Sequence, residues 1–208
     1  TLIAVIDYGV GNIGSVLKAL EYLNIPAKLT SDKDEIKKAD GLILPGVGAF
    51  GSGMKKLHER DLVNLIKDEV KDGKPILGIC LGLQLLFETS EENPSISGLC
   101  LIKGKVKKFD KNKVEKIPHM GWNSLKETEK IKLFTDIDNP RDFYFIHSYY
   151  VKPTNNNLIK AETNYGDVMF PSLINKDNIW GIQPHPEKSS QKGLQLLKNF
   201  AEKIVGGN

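Results

Sequence analysis

Short apolar runs alternate with longer amphipathic stretches through the first half of the chain. Leu2–Asp7 predicts a buried strand, and Asn12–Leu23 predicts a helix because Ile13, Val16, Leu17, Leu20 and Leu23 recur at spacings of three and four. Ala27–Thr30 and Gly41–Leu44 predict short strands, the second stopped by Pro45. Met54–Lys71 predicts helix with a break near Arg60; Pro75–Ile79 is a continuous apolar run after the turn Asp72-Gly73-Lys74, and Leu81–Glu88 continues as helix. This alternation implies an α/β fold with a mostly parallel sheet covered by helices on both faces.

Beyond about residue 95 the pattern becomes one of strands and turns. Leu99–Phe109, Asp142–Val151, Leu158–Glu162, Val168–Ile174 and Asn178–Gln183 predict strands, with turn clusters such as Thr154-Asn155-Asn156-Asn157 between them. Gly193–Ile204 predicts a closing helix with Leu194, Leu197, Phe200, Ala201 and Ile204 inward. With no internal repeat or low-complexity linker, one domain over residues 1–208 is expected.

Composition narrows the class. Hydrophobic residues make up 40% of 208 and glycine adds 19 more, which leaves no place for long disorder. No apolar run reaches about 18 residues and Thr1–Asp7 lacks a basic flank, so neither a spanning helix nor a signal peptide fits and a cytoplasmic protein is expected. Two cysteines cannot form a disulfide framework. The net charge of +3 is local: Lys103–Lys116 holds seven lysines against Asp110 and Glu115, and without that +5 stretch the chain is −2. A general nucleic-acid surface is therefore not expected; the basic run suits a solvated strand and turn, or alternatively a docking surface.

Gly9-Val10-Gly11-Asn12-Ile13-Gly14 has the G-x-G-x-x-G form of a dinucleotide loop, after a strand and before a helix. The same glycines serve any strand-to-helix turn that needs positive φ. Gly78-Ile79-Cys80-Leu81-Gly82 sets a cysteine between glycines at a strand-to-helix junction, the elbow of a nucleophile with sulfur in place of oxygen. A helix starting at Leu81 favours the thiolate and offers the Leu81 N–H to a developing oxyanion. The alternative is a buried structural cysteine, the role expected of Cys100 within its apparent strand. Four histidines compete as base: His58, His119, His147 and His185. Gln183-Pro184-His185-Pro186-Glu187 follows a strand, and its His-x-Glu spacing brings an orienting acid close to the imidazole. Pro45-Gly46-Val47-Gly48-Ala49-Phe50-Gly51 ends another strand and lacks a P-loop Lys-Ser/Thr; its glycines allow a backbone N–H to turn toward an oxyanion.

G-I-C-L-G-L-Q at 78–84 with H-P-E at 185–187 resembles the class I (triad) glutamine amidotransferases. P-G-V-G-A-F-G at 45–51, I-D-Y-G-V-G-N at 6–12, P-H-M-G-W-N at 118–123, F-I-H-S-Y at 145–149 and H-P-E-K-S-S at 185–190 resemble the glutaminase subunits of imidazole glycerol phosphate synthases. The resemblance implies a single-domain amidotransferase fold with antiparallel strands added in the C-terminal half. It implies Cys80 as nucleophile, His185 as proton carrier and Glu187 as its orienter. Oxyanion donors would be Leu81 and, after a peptide flip, Val47; Gly48, Gln84 and the backbone around His147, Ser148 and Tyr149 would hold glutamine. It further implies a (β/α)8-barrel cyclase partner in histidine biosynthesis that receives the ammonia, with Asn12, Trp122, Tyr144 and Lys188 at the interface, and neither metal nor cofactor. A sugar amidotransferase barrel is the alternative recipient, a dinucleotide-binding module and a thiol peptidase the alternative functions. Pro184 departs from the family, which usually has an aromatic there.

Overall fold

The computed structural model describes residues 1–207. The first half builds β1 (Ile3–Ile6), α1 (Ile13–Tyr22), β2 (Ala27–Thr30), α2 (Lys33–Lys38), β3 (Gly41–Leu44), α3 (Phe50–Glu59), α4 (Val63–Lys71), β4 (Ile76–Ile79) and α5 (Leu81–Leu85). The second half adds β5 (Thr89–Ser90), β6 (Gly104–Lys108), β7 (His119–Ser124), β8 (Lys126–Glu127), β9 (Asp142–His147), β10 (Tyr149–Pro153), β11 (Ile159–Tyr165), β12 (Val168–Lys176), β13 (Ile179–Ile182) and α6 (Ser190–Asn199). The expected break near Arg60 is present, between α3 and α4.

An eight-stranded sheet runs β2-β1-β3-β4-β13-β12-β11-β8. Its β2-β1-β3-β4-β13 portion is parallel, and the β12, β11 and β8 additions are antiparallel. β1, β3 and β4 are buried along their whole length, as parallel strands covered on both faces must be. Alternate residues feed two apolar clusters, one containing Val5, Ile43, Leu77 and Ile182 and the other Ile6, Leu42, Leu44 and Ile76. The carboxyl ends of β1, β3, β4 and β13 consequently lie side by side, where open α/β sheets place their sites. A three-stranded sheet β10-β6-β5 and a two-stranded sheet β7-β9 pack beyond that edge. No helix among the described residues is long and apolar enough to cross a membrane.

Several elements differ from the expectations. Leu99–Ile102 is not strand: the N–H groups of Leu99, Leu101 and Cys100 donate to the carbonyls of Leu85, Leu86 and Phe87 at 2.8, 3.0 and 3.2 Å. These residues cap the carboxyl end of α5, which stops at Leu85 instead of running to Glu88. Cys100 sits in this wrap at φ 54° and is exposed, so the expectation of a core residue is corrected. The apolar stretch 142–151 divides at Ser148 into β9, paired with β7, and β10, paired with β6. The final α-helix begins at Ser190 and passes into a π-helical turn over Phe200–Val205. α2 escaped the pattern because Ile36 is its one buried residue; its start is fixed by the Asp32 carboxylate accepting from the Glu35 N–H at 2.9 Å. Lys105, Lys107 and Lys108 flank buried Val106 on β6, the solvated-strand reading of the basic run.

Candidate functional site

Cys80 adopts φ 53° and ψ −107° between β4 and α5 and is 6% exposed. Its N–H donates to the Ile182 carbonyl at 2.9 Å, continuing the ladder from β4 to β13. The turn is tight enough to demand glycine: a Cβ on Gly82 would lie 1.7 Å from the Leu44 carbonyl oxygen, and one on Gly78 would lie 2.8 Å from the Gly82 backbone.

His185 follows β13, the strand in register with β4, so Cys80 and His185 emerge from adjacent strand ends. Its Nδ1 is 2.7 Å from Glu187 Oε1, and both side chains are 1% exposed. Its Nε2 is buried without a hydrogen bond of good geometry. Burial alone would lower the His185 pKa, but the Cys80 charge and then Glu187 outweigh it and push the group up to about 10. Pro184 does not displace the turn: the His185 N–H donates to the Tyr144 carbonyl at 2.9 Å, and Ser189 Oγ takes the Tyr144 N–H at 2.9 Å. The Tyr144 ring meets that of Trp122 edge-on, with centroids 6.2 Å apart, and Trp122 and Met120 stand 56% and 54% exposed on β7.

Leu81 N–H donates to the Gly46 carbonyl at 3.2 Å, with Gly46 at φ 131° and Gly48 at φ 127°. The peptide following Gly46 thus presents its oxygen to the elbow. Val47 forms a bridge with Gly11 in the glycine loop, and Gly9 lies at φ 86° beneath the Arg60 guanidinium while its carbonyl accepts from Lys56 Nζ at 3.0 Å. Gly9 and Gly11 are therefore accounted for by contacts within the chain, while a Cβ on Gly14 would meet nothing within 4 Å. Asn12, at φ 67°, reaches Glu187 Oε1 with its Nδ2 at 3.5 Å.

A cleft of about 500 Å3 opens over the elbow and is lined by Asn12, Val47, Gly48, Cys80, Leu81, Gln84, His147, Ser148, Tyr149 and Lys188, together with Glu92, Pro118 and Ile146. The expected triad acid and base, Trp122 and Tyr144 lie outside that lining. A larger hollow of about 670 Å3 lies across β6, β10, β11 and β12, away from these strand ends.

A chain of polar groups with a single direction leads to the cleft wall at His147, Tyr149 and Gln84. The Asn164 and Tyr149 carbonyls can only accept. Asn123 Nδ2 donates to Asn164 O at 2.8 Å and to His119 Nε2 at 3.2 Å, so His119 Nδ1 donates to His147 Nε2 at 2.9 Å. His147 Nδ1 in turn donates to Tyr149 O at 2.8 Å, where Gln84 Nε2 also arrives at 3.2 Å. Burial lowers the pKa of His119 to about 4 and that of His147 to about 3, so both remain neutral at pH 7. His58 is exposed on α3. Glu92 and Gln183 were not singled out from the sequence; the signal for Gln183 is a polar residue at the end of an otherwise apolar strand, two before the histidine.

The family model for class I glutamine amidotransferases matches residues 4–204, and the chain belongs to that family. It is 48% identical over 202 residues to the imidazole glycerol phosphate synthase subunit HisH of Moorella thermoacetica, covering 97% of this chain and 95% of that one. It is 47% identical over 206 residues to subunit HisH 1 of Methanococcus maripaludis, covering 98% and 100%. Among solved structures, a glutamine amidotransferase superposes with a TM-score of 0.74 at 18% identity, over 99% of this chain and 100% of that one. PurLQS from Thermotoga maritima superposes with a TM-score of 0.74 at 19% identity, over 95% and 96%.

Proposed function

We propose that the chain is the glutaminase subunit of an imidazole glycerol phosphate synthase, hydrolysing glutamine to glutamate and ammonia for a cyclase partner. The observation that carries the chemistry is the His185–Glu187 bond of 2.7 Å at the strand end beside Cys80. With His185 protonated at neutral pH, the Cys80 thiolate attacks the carboxamide carbon and a C–S bond forms. The imidazolium gives its proton to the departing nitrogen, the C–N bond breaks and ammonia leaves. Neutral His185 then takes a proton from water, whose oxygen attacks the γ-glutamyl thioester; the C–S bond breaks, and glutamate and the thiolate are released.

Gly48, Gln84 and the backbone of His147, Ser148 and Tyr149 hold the amino-acid end of glutamine, a role supported by their places in the cleft wall. Leu81 and Val47 supply the oxyanion donors once the peptide following Gly46 turns over, withdrawing its carbonyl from Leu81 and presenting the Val47 N–H. In the conformation described, that hole is closed, which accords with a subunit that turns over slowly until its partner acts on it.

The partner is a (β/α)8-barrel cyclase, docked over Trp122, Tyr144, Asn12 and Lys188. Asn12 contacts Glu187 and the Tyr144 backbone contacts His185, so these positions connect directly to the proposed triad. Glutamate release measured with and without the cyclase and its nucleotide tests the reading. Strong stimulation by that partner, lost in Cys80→Ala, is expected. Retained stimulated turnover in Cys80→Ala would overturn the mechanism, and stimulation by a sugar amidotransferase barrel instead would reassign the recipient.

A further inference from the structure

We propose that Gln183 is a further catalytic residue of this site, donating its Nε2–H to the Cys80 sulfur and tying the nucleophile to the Gln84 carboxamide; the inference rests on Cys80 being the nucleophile. Gln183 is fully buried where β13 ends, and its backbone N–H is held by the Ser172 carbonyl at 2.9 Å. A buried primary amide needs partners for both of its ends. Here Oε1 accepts from Gln84 Nε2 at 3.3 Å, while Nε2 lies 3.6 Å from Cys80 Sγ.

The orientation of both amides follows from one carbonyl. Tyr149 O can only accept, so the end of Gln84 facing it is Nε2. That same Nε2 faces Gln183, which must turn its oxygen toward it and its NH2 toward the sulfur. Gln84 Oε1 is thus the end of that amide that faces neither acceptor, and Gln84 lines the cleft. Substrate-facing amide and nucleophile are thus joined through two side chains whose polarity is fixed.

The sulfur has few other uncharged donors. α5 spans Leu81–Leu85, too short for a strong macrodipole, and Leu81 N–H is occupied by the Gly46 carbonyl. The Ile146 carbonyl, 3.9 Å from Sγ, accepts from a neutral thiol and gives nothing to a thiolate. A charge on Cys80 raises the pKa of two groups facing it, His185 and Tyr8. An N–H donor to sulfur strengthens when sulfur carries charge. It therefore favours the thiolate before attack, weakens when the C–S bond forms, and assists expulsion of the thiolate when water cleaves the thioester.

The test is alkylation of the full-length chain by iodoacetamide across mildly acidic to alkaline pH, with Cys80 and exposed Cys100 followed separately by peptide mass spectrometry. In Gln183→Leu and Gln183→Met, alkylation of Cys80 at pH values below the wild-type midpoint should slow about three- to tenfold. Its limiting rate in alkali should not fall, because a more basic thiolate is also more nucleophilic. Cys100 should be unaffected. An unchanged rate below that midpoint, or an equal loss at every pH, would overturn the proposal. In the wild-type chain the Gln183 side-chain amide protons should shift with the same pH midpoint as Cys80 alkylation, a readout that needs no variant to fold; resonances that stay fixed through that midpoint also count against it. Failure of the underlying reading looks different, since Cys80→Ala would then still hydrolyse glutamine.

Discussion

The Leu81 N–H donates to the Gly46 carbonyl at 3.2 Å, so one of the two proposed oxyanion donors is occupied by the peptide that carries the other. Opening the hole requires a single peptide to rotate, and glycines at φ 131° and 127° bracket Val47. Val47→Pro removes the N–H that rotation would present. The stimulated rate of glutamine hydrolysis should fall about 100- to 1,000-fold, the usual cost of losing one such donor. Comparing kcat with and without the cyclase checks this; full stimulation of the variant would remove Val47 from the hole.

Tyr8 fixes the start of the same strand end. Its buried hydroxyl donates to the Pro45 carbonyl, and a Cβ on Gly46 would lie 2.6 Å from the Tyr8 hydroxyl oxygen. Tyr8→Phe leaves the carbonyl unpaired inside the protein. Urea unfolding should show a loss of about 1–3 kcal/mol, the penalty for an unsatisfied buried group. A variant as stable as the parent would mean that another donor reaches Pro45.

The parallel half of the fold was legible because β1, β3 and β4 are continuous apolar runs: Gly41–Leu44, stopped by Pro45, coincides with β3. Leu99–Ile102 misled because apolar residues that cap α5 look locally like a strand. The stretch 142–151 has one alternation but two partners, and nothing local marks Ser148 as the point where the chain changes sheets. In the candidate site, Cys80, His185 and Glu187 stood out by spacing and turn chemistry, and the fold sets them at adjacent strand ends. Gln183 did not, and His119 stood out only as one of four candidate bases, since their places in the hydrogen-bond network depend on contacts between residues far apart in sequence.

The buried histidines separate the pH dependence of stability into two windows. His119 and His147 have lowered native pKa values, about 4 and 3, against 6.5 when unfolded. Unfolding then takes up protons below pH 6.5, and stability should fall with acidification by a slope approaching two protons. His185 is raised from 6.5 to about 10, so its contribution is present below 6.5 and lost as pH climbs toward 10. His119→Gln should flatten the acid limb alone. Glu187→Gln should lower stability near neutrality by an amount that shrinks toward pH 10. Denaturant titrations across pH decide both; an acid limb unchanged in His119→Gln would mean that the pair does not titrate on unfolding.

Trp122 gives the most direct test of the proposed docking face. It is 56% exposed beside Met120 at 54%, an apolar pair left more than half uncovered by the described residues. Its ring contacts Tyr144, whose carbonyl holds the His185 N–H at 2.9 Å, so pressure on Trp122 is one step from the proposed proton carrier. Large aromatics at the centre of an interface typically account for 2 kcal/mol or more of binding. Trp122→Ala should therefore weaken the cyclase complex about thirtyfold, and Trp122 fluorescence in the parent chain should change on assembly. Calorimetric titration of the cyclase into each form measures the affinities. Parent-like binding by the variant would move the interface away from β7 and leave the exposed pair without a role in assembly.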